Sequence, residues 1–424
     1  MNARKKQRAE QRAAAAQQQT TDGARQPAGA KPPARPRSRR LRGIVGFVIS
    51  AYFCSLFVPQ GLCSVRADGF YDGKAETEFA LADVVAKRVQ QGVTPGMLNT
   101  GSEHFNGEWA LVTNQMAVLG LGQVILAHPS AQERYLPAIR AAVASMLEPG
   151  SREFGTKEWK EDGFAPEVLD GPHGHVYLGY LDMALSMQRL VDPEMSTADA
   201  ELNDRLTAAL ERRIDQSPYG LIETFPGVTF PADVATAIGA IALHARALKQ
   251  PRPPIIAKWV REMERFRDSN GLLPQTANPD TGKATSPARG SGNALCVYLI
   301  AYADEGLANS LTDALFAHAR ASFYGFEGFL EYPSGNAGRA DMDSGPVIMG
   351  VGVSATGFGL AAYRLFSSRE QFTKLYRTAY LFGAPGSHGG GWSYLVGEGL
   401  GDAILLAMMT AGPEVVTFRK GWNG

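Results

Sequence analysis

The chain has 424 residues, 45% of them apolar, and 42 basic against 42 acidic side chains, so it can bury a large core and has no overall charge that marks a nucleic-acid binder. That balance hides an asymmetry: Met1 to Gly43 hold 12 Lys or Arg against Glu10 and Asp22, a net +10, and the remainder carries −10. Three cysteines without CxxC spacing, and no HExxH, exclude a disulfide framework, a structural zinc site and a zincin.

Residues 1–43 combine Ala-Gln runs with K-P-P-A-R-P-R, a composition that buries no core and predicts a disordered basic tail. Residues 44–65 follow as an apolar segment about long enough to cross a bilayer. Arg39, Arg40 and Arg42 on its N-terminal side predict a cytoplasmic tail, a single-pass anchor and an exported C-terminal domain. A signal peptide cleaved near Val65-Arg66-Ala67 competes with a retained anchor, at the cost of an unusually long basic region before it. A lipoprotein signal is opposed by Leu62, a large residue before Cys63. The basic tail lies beside the apolar segment without interleaved aromatics, which points to anionic lipid and not to nucleic acid.

From residue 66 to 412 the pattern is helical and paired. Amphipathic helices are expected near Thr77 to Gln91, Ser130 to Leu147, Thr197 to Ile214, Pro253 to Arg267, Leu307 to Ser322 and Ser368 to Leu381. Each precedes an apolar one, near Gly107 to Ala127, His175 to Leu190, Ala232 to Leu248, Ser291 to Ala303, Gly345 to Leu365 and Ser393 to Thr410. The apolar members carry few charges, as helices buried on most sides do. Links from apolar to amphipathic helix are short, and the reverse links are long and rich in Gly, Pro, aromatics and acids. One face therefore gathers the long loops, where function tends to sit. Residues 413–424 form a C-terminal tail.

Six such hairpins, closed into a ring, give an all-α (α/α)6 toroid. In this architecture the chain resembles the superfamily of six-hairpin glycosidases, several polysaccharide lyases and linalool dehydratase-isomerase type enzymes, over roughly Glu76 to Gly412. The resemblance rests on hairpin count and loop asymmetry, without a matching motif, and implies an enzyme acting on a small molecule or glycan.

The long-loop face supplies the candidate residues. D-M-D-S-G-P places Asp341 and Asp343 before the fifth apolar helix, where Asp343 or Ser344 would cap the helix or one Asp would enter the ring as general acid, base or substrate ligand. Glu223 in G-L-I-E-T-F-P-G and Glu331 in G-F-L-E-Y-P-S-G occupy matching loops, and a pair of carboxylates across a cleft is what glycoside hydrolysis needs. Solvated loop acids are the plain alternative. His173, His175 and Tyr177 in D-G-P-H-G-H-V-Y, with Arg289 and Asn293 in S-P-A-R-G-S-G-N, are candidate substrate contacts; Arg289 would pair with a substrate acid or with Asp341 or Asp343. Trp109 and Trp392 are candidate stacking platforms, against the commoner role of core aromatics. Asp233, Glu398 and Asp402 add acids near the axis, and an acid buried there needs a partner. No third ligand accompanies the paired Asp or His residues, so neither metal nor cofactor is expected.

These readings converge on a membrane-anchored exported enzyme that acts on a carbohydrate by acid/base hydrolysis or lyase elimination. An open groove with facing carboxylates would favour that reading. A closed apolar cavity with one acid would favour a dehydratase, isomerase or cyclase for a terpenoid-like substrate. A filled axis with all acids capped would leave a non-catalytic scaffold.

Overall fold

Apolar and amphipathic stretches alternate in space as they do along the chain. The computed structural model describes residues 37–98, 100–172, 174–388, 391–395 and 399–413. They fall into two units, one ending at Val58 and one starting at Pro59. Helix α1 (Arg37–Cys63) carries the apolar segment. Its stretch Leu41–Cys63 is long and apolar enough to cross a membrane, and that apolar surface is not buried. Of the tail expected to be disordered, residues 1–36 lie outside the described residues and 37–43 instead form the start of α1, where the chain continues without a break into the apolar segment; most of the C-terminal tail also lies outside the described residues.

The second unit continues with α2 (Ala67–Tyr71), α3 (Ala75–Gln90), α4 (Glu103–Ala127), α5 (Gln132–Leu147), α6 (Pro149–Trp159) and α7 (Pro166–Leu169). Then come α8 (Leu178–Val191), α9 (Thr197–Gln216), α10 (Pro231–Ala247), α11 (Pro254–Phe266) and α12 (Gly290–Ala301). Last are α13 (Glu305–His318), α14 (Val353–Phe366), α15 (Arg369–Gly383) and α16 (Leu400–Met409). Helix α4 packs on α8, α8 on α10, α10 on α12, α12 on α14, α14 on α16, and α16 returns to α4. That cycle closes an inner ring of six. Helices α3, α5, α9, α13 and α15 lie against it from outside, and α11 packs against α9. The fold is an (α/α)6 toroid.

Local chemistry explains the two helix classes. Outer α11 buries Ile255, Ile256, Trp259 and Met263, a stripe at helical spacing, and leaves its charges outside; each such large side chain contributes about 1.5–3 kcal/mol on burial. Three outer helices begin on side-chain caps: Ser196 accepts from the Asp199 N–H, Asp304 from the Leu307 N–H, and Ser368 forms a capping box with Gln371. Inner helices are apolar around their circumference and pack closely. A Cβ on Gly239 of α10 would stand 2.8 Å from the Leu299 carbonyl oxygen of α12, so only glycine fits that contact.

At the C-terminal end of the ring the axis is sealed. Gln123 Nε2 donates to the hydroxyls of Tyr298 and Tyr302 at 2.5 and 2.6 Å, and Thr410 Oγ1 donates to Gln123 Oε1 at 2.7 Å. All four are buried. The buried amide thus has partners on both of its ends.

The long links carry the remaining structure. Four antiparallel hairpins, β1 (Ala277–Asn278) with β2 (Lys283–Ala284), β3 (Arg320–Phe323) with β4 (Phe326–Phe329), β5 (Val347–Ile348) with β6 (Val351–Gly352), and β7 (Pro385–His388) with β8 (Gly391–Tyr394), all lie in outer-to-inner links. Two of them revise the expected helix starts. The fifth inner helix begins at Val353, not Gly345, because 347–352 pair as a hairpin turning at Met349 and Gly350, both at positive φ. The sixth begins at Leu400, not Ser393, because Ser393 belongs to β8, which pairs with β7. The fifth outer helix likewise stops at His318, where β3 takes over.

Candidate active site

The N-terminal turns of all six inner helices surround a cavity of about 450 Å³. Helix α4 contributes His104, Glu108, Trp109 and Val112; α8 contributes Tyr180, α10 Asp233, α12 Ser291 and Leu295, α14 Ser354 and Phe358, and α16 Ile404 and Leu405. Loops add Phe225, Phe230, Gln275, Met342 and Asp343. No Lys or Arg lines it among the described residues.

Three carboxyl groups therefore share one chamber whose described walls hold no Lys or Arg. Burial pushes Glu108 up to about 8, helped by the nearby Asp233 and Asp343 carboxylates. Its side chain is 31% exposed, and it lines the cavity, so protein encloses it while the cavity wets it. His104 Nε2 stands 3.7 Å from its carboxylate, one helical turn away. Asp233 is also raised by burial, to about 6, against the opposing effect of two hydrogen bonds. Thr224 Oγ1 donates to its Oδ2 and the Tyr180 hydroxyl to its Oδ1, each at 2.7 Å. Asp343 is held above the ordinary carboxylate range by desolvation and by Asp341, with Arg289 and His104 pulling the other way. Among the described residues it has no hydrogen-bond partner.

The other acids singled out in the sequence have partners. Arg289 donates Nε to Glu331 Oε1 at 2.7 Å and both Nη atoms to Asp341 at 2.7 and 2.8 Å. Glu331 also accepts from Ser291 Oγ at 2.7 Å and is fully buried. Asp341 accepts from the Ser344 N–H, and its own N–H donates to Ser344 Oγ, so these two residues close a turn and neither Ser344 nor Asp343 caps α14. Glu223 accepts from the Gly227 N–H at 2.7 Å and steadies a loop outside the cavity wall. Asn293 donates to the Leu273 and Arg289 carbonyls and accepts from the Leu273 N–H, a clamp between loop and helix.

His175 is buried, stacks on Trp159 at 4.3 Å and meets Glu161 at 2.9 Å, and burial lowers its pKa. Tyr177 packs on Phe154 beside it. Trp392 sits in β8 under the Arg66 guanidinium, 4.7 Å from its ring, and away from the cavity. Asp402 accepts from the Tyr394 N–H at 2.7 Å. His173 and Glu398 lie outside the described residues. Of the residues singled out as candidates, the structure brings Asp343, Trp109 and Asp233 together in the cavity.

No family model matches this chain, and no curated protein does. Among solved structures it is similar to the unsaturated glucuronyl hydrolase of Bacillus sp. GL1, described as responsible for the degradation of glycosaminoglycan. The identity is 15% and the TM-score 0.46, over 73% of this chain and 89% of that one. A variant form with dGlcA-Glc-Rha-Glc gives the same figures.

Glu108, His104 and Tyr180 carry the chamber without having stood out in the sequence. Their signal was present: an acid in the second turn of an otherwise apolar inner helix, with a histidine one turn before it, faces the axis by position alone. Loop motifs such as D-M-D-S-G-P drew attention instead. Chemically the chamber can hold a proton on Glu108 at neutral pH while Asp233 is ionised, a division that suits general acid/base work.

Proposed function

We propose that this chain is a glycoside hydrolase acting on an uncharged sugar inside the toroid. Glu108, protonated at neutral pH, donates its proton to the leaving glycosidic oxygen. Asp343, without a hydrogen-bond partner among the described residues, activates water or attacks the anomeric carbon. Asp233, ionised above about pH 6 and oriented by Tyr180 and Thr224, stabilises the positive charge that develops on the ring. Trp109 offers a stacking face. The catalytic work is thus placed on Glu108, Asp233 and Asp343, while Arg289 with Asp341 and Glu331 builds the loop that presents Asp343.

One observation carries the reading: three carboxyls, with burial raising the pKa of Glu108, line a cavity that has no guanidinium or ammonium group among the described residues. That wall argues against lyase elimination, since neutralising a uronate needs a cation, and Arg289 is already engaged. It also argues against a non-catalytic scaffold, which would fill the axis. The apolar share of the wall keeps a second reading in view, acid-catalysed dehydration or isomerisation of an apolar alcohol by the same Glu108. The site would lie on the exported side of a membrane, anchored through the apolar helix that follows the basic tail.

The test is hydrolysis of a panel of neutral and uronate-bearing aryl glycosides by the full-length protein. Neutral glycosides should be cleaved, and Glu108→Gln should lower kcat by about 10²–10⁴-fold. Cleavage of uronides alone, or neutral-glycoside activity indifferent to Glu108→Gln, would sink the assignment. Alkene formation from an alcohol would select the second reading.

A further inference from the structure

The cavity wall is of two kinds. Carboxyl groups come from α4, α10 and the Asp343 loop. Hydrocarbon comes from Phe358, Ile404 and Leu405 of α14 and α16 and from Ala379 and Phe382 of α15, the one outer helix that lines the cavity among the described residues. Ala379, Phe382 and Gly383 occupy one face of α15, and Arg377 and Leu381 the opposite face, because residues two apart on a helix point nearly opposite ways.

That opposite face is tied to the chain directly after the apolar segment. Arg377 donates to Ser64 Oγ at 2.8 Å, to Gln60 Oε1 at 3.2 Å and to the Gly325 carbonyl at 2.7 Å. The Tyr376 hydroxyl donates to the Val65 carbonyl at 2.8 Å. Beyond them Leu381 is exposed, as are Phe323 and Tyr324 in the β3–β4 turn that Gly325 completes. Exposed aromatic and aliphatic side chains beside the end of an apolar span are what a bilayer interface selects. The last two turns of α15 thus carry hydrocarbon lining of the cavity on one face and, on the other, stand beside segment 60–65.

We propose that the substrate is an amphiphilic glycoside, such as a glycolipid, whose sugar enters the carboxyl chamber and whose hydrocarbon chain lies along α15. The identity of the head group rests on the hydrolase reading above; the tail site rests on the cavity wall and on the segment 60–65. A lipid-borne substrate explains why a chamber for proton transfer opens onto a hydrocarbon wall, and why that wall backs onto the segment that ends the apolar span.

The test uses the full chain in phosphatidylcholine nanodiscs, with empty nanodiscs as reference, titrated calorimetrically with methyl β-glucoside and octyl β-glucoside below its micelle concentration. Octyl glucoside should bind about fiftyfold tighter, the gain for some three buried methylenes. Ala379→Phe and Ile404→Phe, each checked for an unchanged circular dichroism spectrum, should abolish the difference by filling the tail site. Equal affinities in the parent protein, or a chain-length gain that survives both substitutions, would overturn the proposal. If the gain is present and erased by both substitutions while no glycoside is cleaved, the tail site stands and the hydrolase reading falls. Cleavage without a chain-length gain leaves the hydrolase reading standing and removes the tail site.

Discussion

Arg289 grips Asp341 through both Nη atoms while its Nε holds Glu331, so one guanidinium joins a fully buried acid to the loop that carries Asp343. Asp343 faces the cavity two residues beyond that grip. The loop acid that is bonded and the loop acid that is free are therefore parts of one device.

Breaking it should cost stability and activity together. Arg289→Leu leaves Glu331 buried without its counter-charge, and removal of one partner of a buried pair costs about 3–5 kcal/mol. In Arg289→Leu/Glu331→Gln the stranded charge is gone, so urea denaturation should recover part of that loss. Activity should stay low in both variants, because Asp341 and its neighbour Asp343 remain unmoored. A double variant that regains full activity would show that the grip does not position Asp343.

The proposed hydrolysis carries its own pH dependence. If Glu108 is the acid it must keep its proton, so the alkaline limb of kcat/KM should fall near its pKa of about 8, while ionisation of Asp343 and of Asp233, at about 6, should set the acid limb. The maximum should lie near pH 7. Because the three groups interact, the limbs report the cluster and not single residues. A profile that rises steadily beyond pH 9 would exclude Glu108 as the acid.

Thr224→Val and Tyr180→Phe each remove a hydroxyl that holds Asp233 down against its burial. Both should move the acid limb to higher pH, with a smaller change in the alkaline limb because Asp233 also acts on Glu108. A hydrogen bond to a charged carboxylate contributes about 1.5–3 kcal/mol, so the shift should be about one to two units. An acid limb unmoved by either substitution would assign it to Asp343 alone.

Hairpin count, the order of outer and inner helices and the one-sided loops were legible in the sequence because periodicity and link length follow from burial. Where short strands replaced helix, the reason is local: Gly345, Met349 and Gly350 turn at positive φ, and Pro385–His388 pair with Gly391–Tyr394. The carboxyl chamber was less legible. Glu331, Asp341 and Glu223 sit in conspicuous loop motifs, yet each is engaged through at least one oxygen, by Arg289, Ser291, Ser344 or a backbone N–H. Glu108 lies in a plain apolar helix, where only the closed ring reveals which turn faces the axis.

Asp182 tests the physics of burial away from the cavity. It is fully buried in α8, accepts from Thr207 and Asn203, and has no cation among these partners, so desolvation lifts it to about 7. A raised carboxyl pKa means the native state binds the proton more tightly than the unfolded chain does. Stability is then greatest below the ordinary carboxyl range, falls as pH rises toward 7 and stays low above it. The loss amounts to something on the order of 4 kcal/mol if the unfolded pKa is ordinary. Asp182→Asn keeps the shape and removes the ionisation, so urea denaturation should find it close to the parent protein at pH 4 and more stable at pH 8. Equal pH dependence in the two proteins would mean that Asp182 is already ionised at low pH, with Thr207 and Asn203 supplying enough hydrogen bonding to hold the charge without a counter-ion.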